Sequence, residues 1–421
     1  MEPKVLLISE RFSAGDAITG LNLFSKWNKS QLYIASLNTS FFYGNFNSGY
    51  RIGSAEIKFR FPLNYLNKVP SSKVIDCQKD NPIPKKQAGK LISKFYLKYT
   101  VPVLKWLGLF SYRVSYNVSE QFLRWVDEVS PDCVYSSIGS LNTAEFIDAL
   151  MKARPQLRFI IHGYDDWVEP NYFTISKSYS RRSKSYLKNI ISRACLTFST
   201  SEKMSKDYRE RYGREFPVFP NPTQQIPDSV IIDSSSTNVT FIGKILNHNI
   251  KSIELLASSL NALNDNLTLH IYSNVADEIK EKIARKYRKT VFHDWVSHDE
   301  IPWILRNSRI LYLPISIDKQ TVKFTKYSMS TKMSEYLASG VPMLYHGPDG
   351  IAMTELLEKH QCAFVVKSND ERILSVTIKQ ILEDENATQK VLENAFKLFS
   401  VQFEKERITE TFKQIITEAC I

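Results

Sequence analysis

Two series of short apolar runs, each run followed by a stretch with helical spacing, constrain this chain more than any other feature. The first series is KVLLIS (4–9), QLYIAS (31–36), EIKFRF (56–61), CVYSSI (133–138), RFIIHG (158–163) and CLTFST (195–200). The second is NVTFIG (238–243), LTLHIY (267–272), RILYLP (309–314), VPMLYH (341–346) and AFVV (363–366). Strands alternating with helices predict parallel α/β sheets, so two series predict two Rossmann-like domains. A chain of 421 residues is also too long for one ordinary core. The expected boundary is FPNPTQQIPDSVIIDSSSTN (219–238), with three prolines followed by a serine-rich stretch.

Charge is unevenly distributed. Residues 1–222 carry 32 Lys and Arg against 19 Asp and Glu, whereas residues 223–421 carry 23 against 25. The first half is therefore expected to face something anionic: a membrane surface, a pyrophosphate-bearing acceptor or nucleic acid. A solvated basic face has the same composition. Residues 85–113 (KKQAGKLISKFYLKYTVPVLKWLGLFSYR) interrupt the α/β rhythm, with Lys90, Lys94, Lys98 and Lys105 among Phe95, Tyr96, Trp106 and Phe110. Such a basic, aromatic stretch suits a membrane interface, or an extra helix with solvated lysines. The five cysteines are scattered without metal-ligand spacing, which fits thiols in a reducing cytoplasm. The opening MEPKVLLISE reads as a first strand rather than a leader, and no apolar run is long enough to span a bilayer.

The segment STKMSEYLASGVP (330–342) reads as a helix. Ser330 or Thr331 caps it, Gly340 takes the left-handed position at its end, and Pro342 cannot continue it. Lys332 and Glu335, three apart, share one face. An ammonium and a carboxylate beside free backbone N–H groups suit a phosphate-plus-ribose ligand; an ordinary capped helix with a surface ion pair has the same sequence. Upstream, FIGKILNHNIKS (241–252) places Gly243 and Lys244 between a strand and a helix, where glycine permits close backbone approach to a phosphate.

These motifs, in order with WVSHDEIPWILRNSRILYLPI (295–315), resemble the donor domain of family 4 glycosyltransferases. TSEKMSKDYRERYG followed by VFPNP resembles that family's close to the first domain. The resemblance implies a GT-B fold, two Rossmann-like domains facing each other across a cleft. Residues 1–222 would be the acceptor domain and 223–399 the nucleotide-sugar donor domain, with a helix at about 400–421 crossing back. It further implies a retaining transferase using a UDP- or GDP-sugar without a bound metal or cofactor. Lys244, Lys251 and Lys332 would hold the diphosphate with Ser330 and Thr331, and Glu335 the ribose. The family often carries another glutamate where this chain has Tyr327, so the group contacting the donor sugar stays open.

The resemblance also assigns the acceptor side. Gly15 and Gly20 lie in FSAGDAITGLNLF (12–24), a strand-to-helix turn like the family's first loop, placed near the phosphates. His162 and Asp165 lie in FIIHGYDDWVEP (159–170) beyond a strand end, where open α/β sheets bind ligands. His162 is expected to orient a hydroxyl or move a proton. Asp165 and Asp166 are read as a helix cap in preference to a cation site. Arg181, Arg182, Lys184 and Lys188 form a basic helix face for a phosphate-bearing acceptor or anionic lipid. The implied reaction is sugar transfer to a hydroxyl of a glycan or polyprenyl-diphosphate-linked acceptor in bacterial surface polysaccharide assembly. The protein would be cytoplasmic, peripheral at the inner membrane face, with no nucleic-acid partner. A degenerate GT-B binding protein, or a sugar-nucleotide 2-epimerase of similar fold, are the alternatives.

Overall fold

The computed structural model describes residues 2–9, 16–37, 39, 44–59, 69–78, 103, 114–166, 168, 177–227, 233–245, 249–263 and 265–420. Gly15 and nearly all of 85–113 lie outside the described residues. The chain divides into two compact units, one of Met1–Phe219 with Thr409–Ile421, the other of Pro220–Ile408.

In the first unit the elements run β1 (Val5–Ser9), α1 (Asp16–Leu23), β2 (Leu32–Ser36), β3 (Ser48–Arg51), β4 (Ile57–Phe59), β5 (Lys73–Asp76), β6 (Val114–Tyr116) and α2 (Glu120–Val129). They continue with β7 (Cys133–Ser137), α3 (Leu141–Ala153), β8 (Arg158–Gly163), α4 (Lys177–Arg193), β9 (Leu196–Ser199) and α5 (Glu202–Tyr212). The main sheet has the order β5-β3-β2-β1-β7-β8-β9. Its pairings are parallel except β3 with β5. The EIKFRF run does not join it: β4 pairs antiparallel with β6 in a separate two-stranded sheet. Strands β3 and β5 enter unannounced, since SGYR and KVID are short and lie at one edge.

Glu56 organises that edge. Fully buried, it accepts hydrogen bonds from the Tyr50 hydroxyl (2.8 Å), the Gly53 amide (2.9 Å) and the hydroxyls of Ser72 and Ser119 (both 2.5 Å). Four donors substitute for water around one carboxylate. Glu56→Leu strands all four and should cost about 3 kcal/mol or more. In calorimetry this lowers the first unit's transition by roughly 6–12 °C and leaves the second unit's in place.

The second unit runs β10 (Asn238–Ile242), α6 (Ile250–Ala262), β11 (Thr268–Tyr272), α7 (Asp277–Lys286), β12 (Thr290–His293), α8 (Ile301–Arg306) and β13 (Ile310–Pro314). Then come α9 (Lys319–Thr325), α10 (Thr331–Leu337), β14 (Met343–His346), α11 (Ala352–His360), β15 (Phe364–Val366), α12 (Glu371–Glu383) and α13 (Glu385–Gln402). The last helix, α14 (Lys405–Cys420), begins in this unit and ends in the first. There Phe412 meets the rings of Phe24, Phe198 and Phe219 at 5.2, 5.5 and 5.2 Å.

The second sheet is wholly parallel, in the order β12-β11-β10-β13-β14-β15. Alternate residues enter two cores. Val239, Phe241, Ile310, Tyr312 and Leu344 pack with α6, α7 and α12. Ile242, Leu311, Leu313, Met343 and Tyr345 pack with α8, α10, α11 and α13. Burial on both faces explains why these strands read as near-continuous apolar runs. The strand order reverses between β10 and β13. Ligands of open α/β sheets sit beyond the carboxyl ends of the strands at such a point.

Candidate active site

At the carboxyl end of β10 the chain turns through Gly243, whose φ of 146° is in the region open to glycine. The turn is fixed on several sides. The Gly243 amide donates to the Tyr272 carbonyl at 2.9 Å. The Ile245 amide donates to Ser273 Oγ at 3.3 Å, and Asn249 Nδ2 to the Lys244 carbonyl at 3.1 Å. A Cβ on Gly243 would overlap Lys332 Cε and Nζ, so the lysine lies directly against the turn. Its ammonium also stands 5.5 Å from the centroid of the Phe241 ring.

Helix α10 delivers Lys332. Met333, Tyr336 and Leu337 are buried in the core, which leaves Lys332 and Glu335 on the half-buried face. The Tyr336 hydroxyl accepts from the Ile242 amide at 3.4 Å and ties the helix to β10 just before Gly243. Burial pulls the Lys332 ammonium below its usual pKa, with Glu335 raising it and Lys244 lowering it. Burial pushes the Glu335 carboxyl above the usual range, while His298 and Lys332 pull it down. The structure therefore groups Gly243, Lys244, Lys332 and Glu335, and adds His298 from the loop before α8. His298 escaped the sequence reading because nothing local shows that SHDE faces a helix more than thirty residues on. Lys251 is exposed on the first turn of α6.

The helix differs from expectation at both ends. Ser330 occupies the N-cap position, but neither it nor Thr331 caps through its side chain; the Ser330 carbonyl accepts from the Met333 amide at 3.0 Å. The α-helical run stops at Leu337, and Gly340, at φ 74°, lies beyond it in the left-handed conformation. Tyr327 is buried, with the Lys326 ammonium 2.8 Å from its hydroxyl and 4.6 Å from its ring centroid. An aromatic core residue thus fills the position where the family often has a carboxylate.

The first-unit candidates among the described residues are placed separately. His162, near the end of β8, has no exposed surface. Its Nδ1 lies 2.7 Å from the Tyr135 hydroxyl, which lies 2.8 Å from that of Tyr164. Burial drives its pKa to about 3. It is a neutral histidine packed among Tyr135, Tyr164 and Phe198. Gly20 lies inside α1, its carbonyl accepting from the Phe24 amide at 3.0 Å, and an added Cβ would meet nothing within 4 Å. It therefore lies within the helix rather than in the turn before it. Asp166 is buried, accepts from the Val168 amide at 3.3 Å and pairs with Arg211 at 3.0 Å; Asp165 is exposed. On α4, Arg182 is committed to Glu145 at 2.5 Å, whereas Arg181 is exposed. The expected basic face therefore loses Arg182.

Comparison with known proteins bears on the fold and on the second unit. Residues 236–384 match the family model described as glycosyl transferases group 1. No curated protein matches the chain in sequence. Among solved structures, HepE from Anabaena in complex with UDP-glucose aligns over 99% of this chain and 100% of its own, at 12% identity and a TM-score of 0.59. Sucrose-phosphate synthase from Thermosynechococcus elongatus aligns over 98% of both chains at 13% identity and a TM-score of 0.61. A protein from E. coli described as trehalose-6-phosphate bound with UDP-2-fluoro glucose aligns over 99% of this chain and 98% of its own, at 11% identity and a TM-score of 0.58. Residues 236–384 of the second unit thus match the glycosyl transferases group 1 model, and the whole chain has the GT-B fold of these solved structures.

Proposed function

We propose that the protein transfers a sugar from a nucleotide-sugar donor to a hydroxyl of a glycan or lipid-linked glycan, with retention of anomeric configuration. The observation that carries this reading is the Lys332 ammonium set against Gly243 at the end of β10, with Glu335 one turn along α10. In this reading the glycine brings backbone close to the diphosphate, Lys332 and Lys244 neutralise it, and Glu335 accepts from the ribose hydroxyls. Charge that develops on the leaving diphosphate meets fixed cations, which lowers the barrier to the oxocarbenium-like centre. The departing phosphate takes the acceptor's proton on the face it leaves, so no enzymic nucleophile is required. HepE was solved with UDP-glucose and the E. coli protein with UDP-2-fluoro glucose, which makes UDP-glucose the first donor to test.

The basic excess of residues 1–222, including exposed Arg181, suits an acceptor carrying a lipid diphosphate. The same reading places the protein at the inner face of the cell membrane in surface polysaccharide assembly, with residues 85–113 at the lipid. Among the described residues no helix is long and apolar enough to cross a membrane. The rival reading, a degenerate binding protein, draws on Tyr327 in place of a carboxylate.

Thermal unfolding with a panel of UDP- and GDP-sugars separates the two. One donor at a hundred times its dissociation constant should stabilise the protein by about 2.7 kcal/mol. With that donor and a polyprenyl-diphosphate-linked acceptor, product should form. Binding without turnover favours the degenerate reading, and no shift with any donor overturns both.

A further inference from the structure

Thr223 belongs to no motif of the donor site, yet it joins three parts of the second unit. Its amide donates to the Phe403 carbonyl at 2.8 Å, its carbonyl accepts from the Lys405 amide at 3.0 Å, and it bridges Glu404 in parallel. Its hydroxyl lies 2.5 Å from Ser334 Oγ. Ser334 sits between Lys332 and Glu335 on α10, and its own hydroxyl donates to the Thr331 carbonyl at 2.9 Å. Ser334 has one proton to give, so Thr223 must be the donor in the pair. A directed chain therefore runs from Thr223 through Ser334 to the first turn of α10. Both hydroxyl-bearing residues are buried, where an unmet hydrogen bond is costly.

The location of Thr223 gives this chain of bonds its meaning. The polypeptide leaves the first unit after Phe219 and returns to it at Thr409. Its outgoing and returning segments are laced together at Thr223 and Glu404, only a few residues from each crossing. We propose that Thr223 is a positioning residue that couples nucleotide binding on α10 to the two connections between the units. The proposal rests on the donor-site reading above. Ligand contacts at Lys332 and Glu335 restrain α10; Ser334 passes that restraint to Thr223, and Thr223 to the paired segments 220–226 and 403–408.

Hydrogen–deuterium exchange, with and without the UDP-sugar that raises the melting temperature, reads the coupling directly. In the wild type the donor should slow exchange about tenfold in peptides covering Thr223 and Lys405. Thr223→Val keeps the side-chain shape but loses the proton. It should still bind donor, by thermal shift, with no donor-dependent change in those peptides. Its kcat should fall about tenfold, the worth of one hydrogen bond, while KM holds. Thr223→Ser should restore both. Ser334→Ala, which breaks the pair from the other side, should repeat the uncoupling if the valine variant folds poorly. Donor-dependent protection that persists in both Thr223→Val and Ser334→Ala, or a serine that fails to rescue, overturns the inference. A wild type that binds donor without protecting these peptides overturns it alone, whereas a wild type that binds no donor overturns the donor-site reading as well.

Discussion

Glu335→Ala yields a folded protein that has lost its nucleotide sugar. The carboxylate is half-buried on a helix whose other face is core, so its removal costs the fold little. In the proposed reading the ligand loses a charged acceptor for two ribose hydroxyls. Each charged hydrogen bond is worth about 1.5–3 kcal/mol, so affinity should drop roughly a hundredfold or more. Isothermal titration with the donor gives this number directly. The same residue sets a pH signature. Because burial raises the Glu335 pKa, the folded protein holds that proton more tightly than the unfolded chain. This contribution makes the free protein more stable as pH falls through the raised value toward the usual carboxylate range. Donor affinity should move the opposite way, since a protonated carboxyl cannot accept from both hydroxyls. Glu335→Gln should flatten both limbs, and limbs that persist in the glutamine variant would assign the titration elsewhere.

Gly243→Val attacks the same site from the backbone. At φ 146° a side chain strains the turn by about 1–3 kcal/mol. The atoms that Cβ meets are the far end of Lys332, which can swing away. The unit therefore survives with a melting temperature lowered by roughly 2–10 °C. What the variant loses is the placement of the ammonium and the close approach of backbone to phosphate. Donor affinity should fall by about tenfold to a hundredfold, the scale of one charge-assisted hydrogen bond. Gly243→Ala should be milder yet in the same direction. A valine variant that binds donor normally would show that Lys332 acts from some other position.

Strands β10, β13 and β14 were legible because both faces of their sheet are buried, which forces long apolar runs into the sequence. The edge strands KVID and TVFH carried no such mark, since half of a short edge strand is free to be polar. Lys332 and Glu335 were legible as a pair because helical spacing puts them on one face, and Gly243 because a strand-to-helix turn needs a glycine that backbone or ligand can approach. The surroundings of His162 stayed hidden for a physical reason. RFIIHG places a histidine near a strand end, but only the tertiary fold decides whether Tyr135, Tyr164 and Phe198 close around it. The Thr223–Ser334 bond joins residues 111 apart, and no local pattern announces it.

Helix α14 also orders events during synthesis. The first unit's aromatic cluster of Phe24, Phe198 and Phe219 includes Phe412, which belongs to a segment made about 190 residues after Phe219. A ribosome therefore releases the whole second unit while the first still has a gap among its rings. Domains fold largely as units during synthesis, N-terminal first where the chain allows. Here the first unit must wait, with apolar surface open to chaperones, until α14 arrives, and the second unit is free to finish ahead of it.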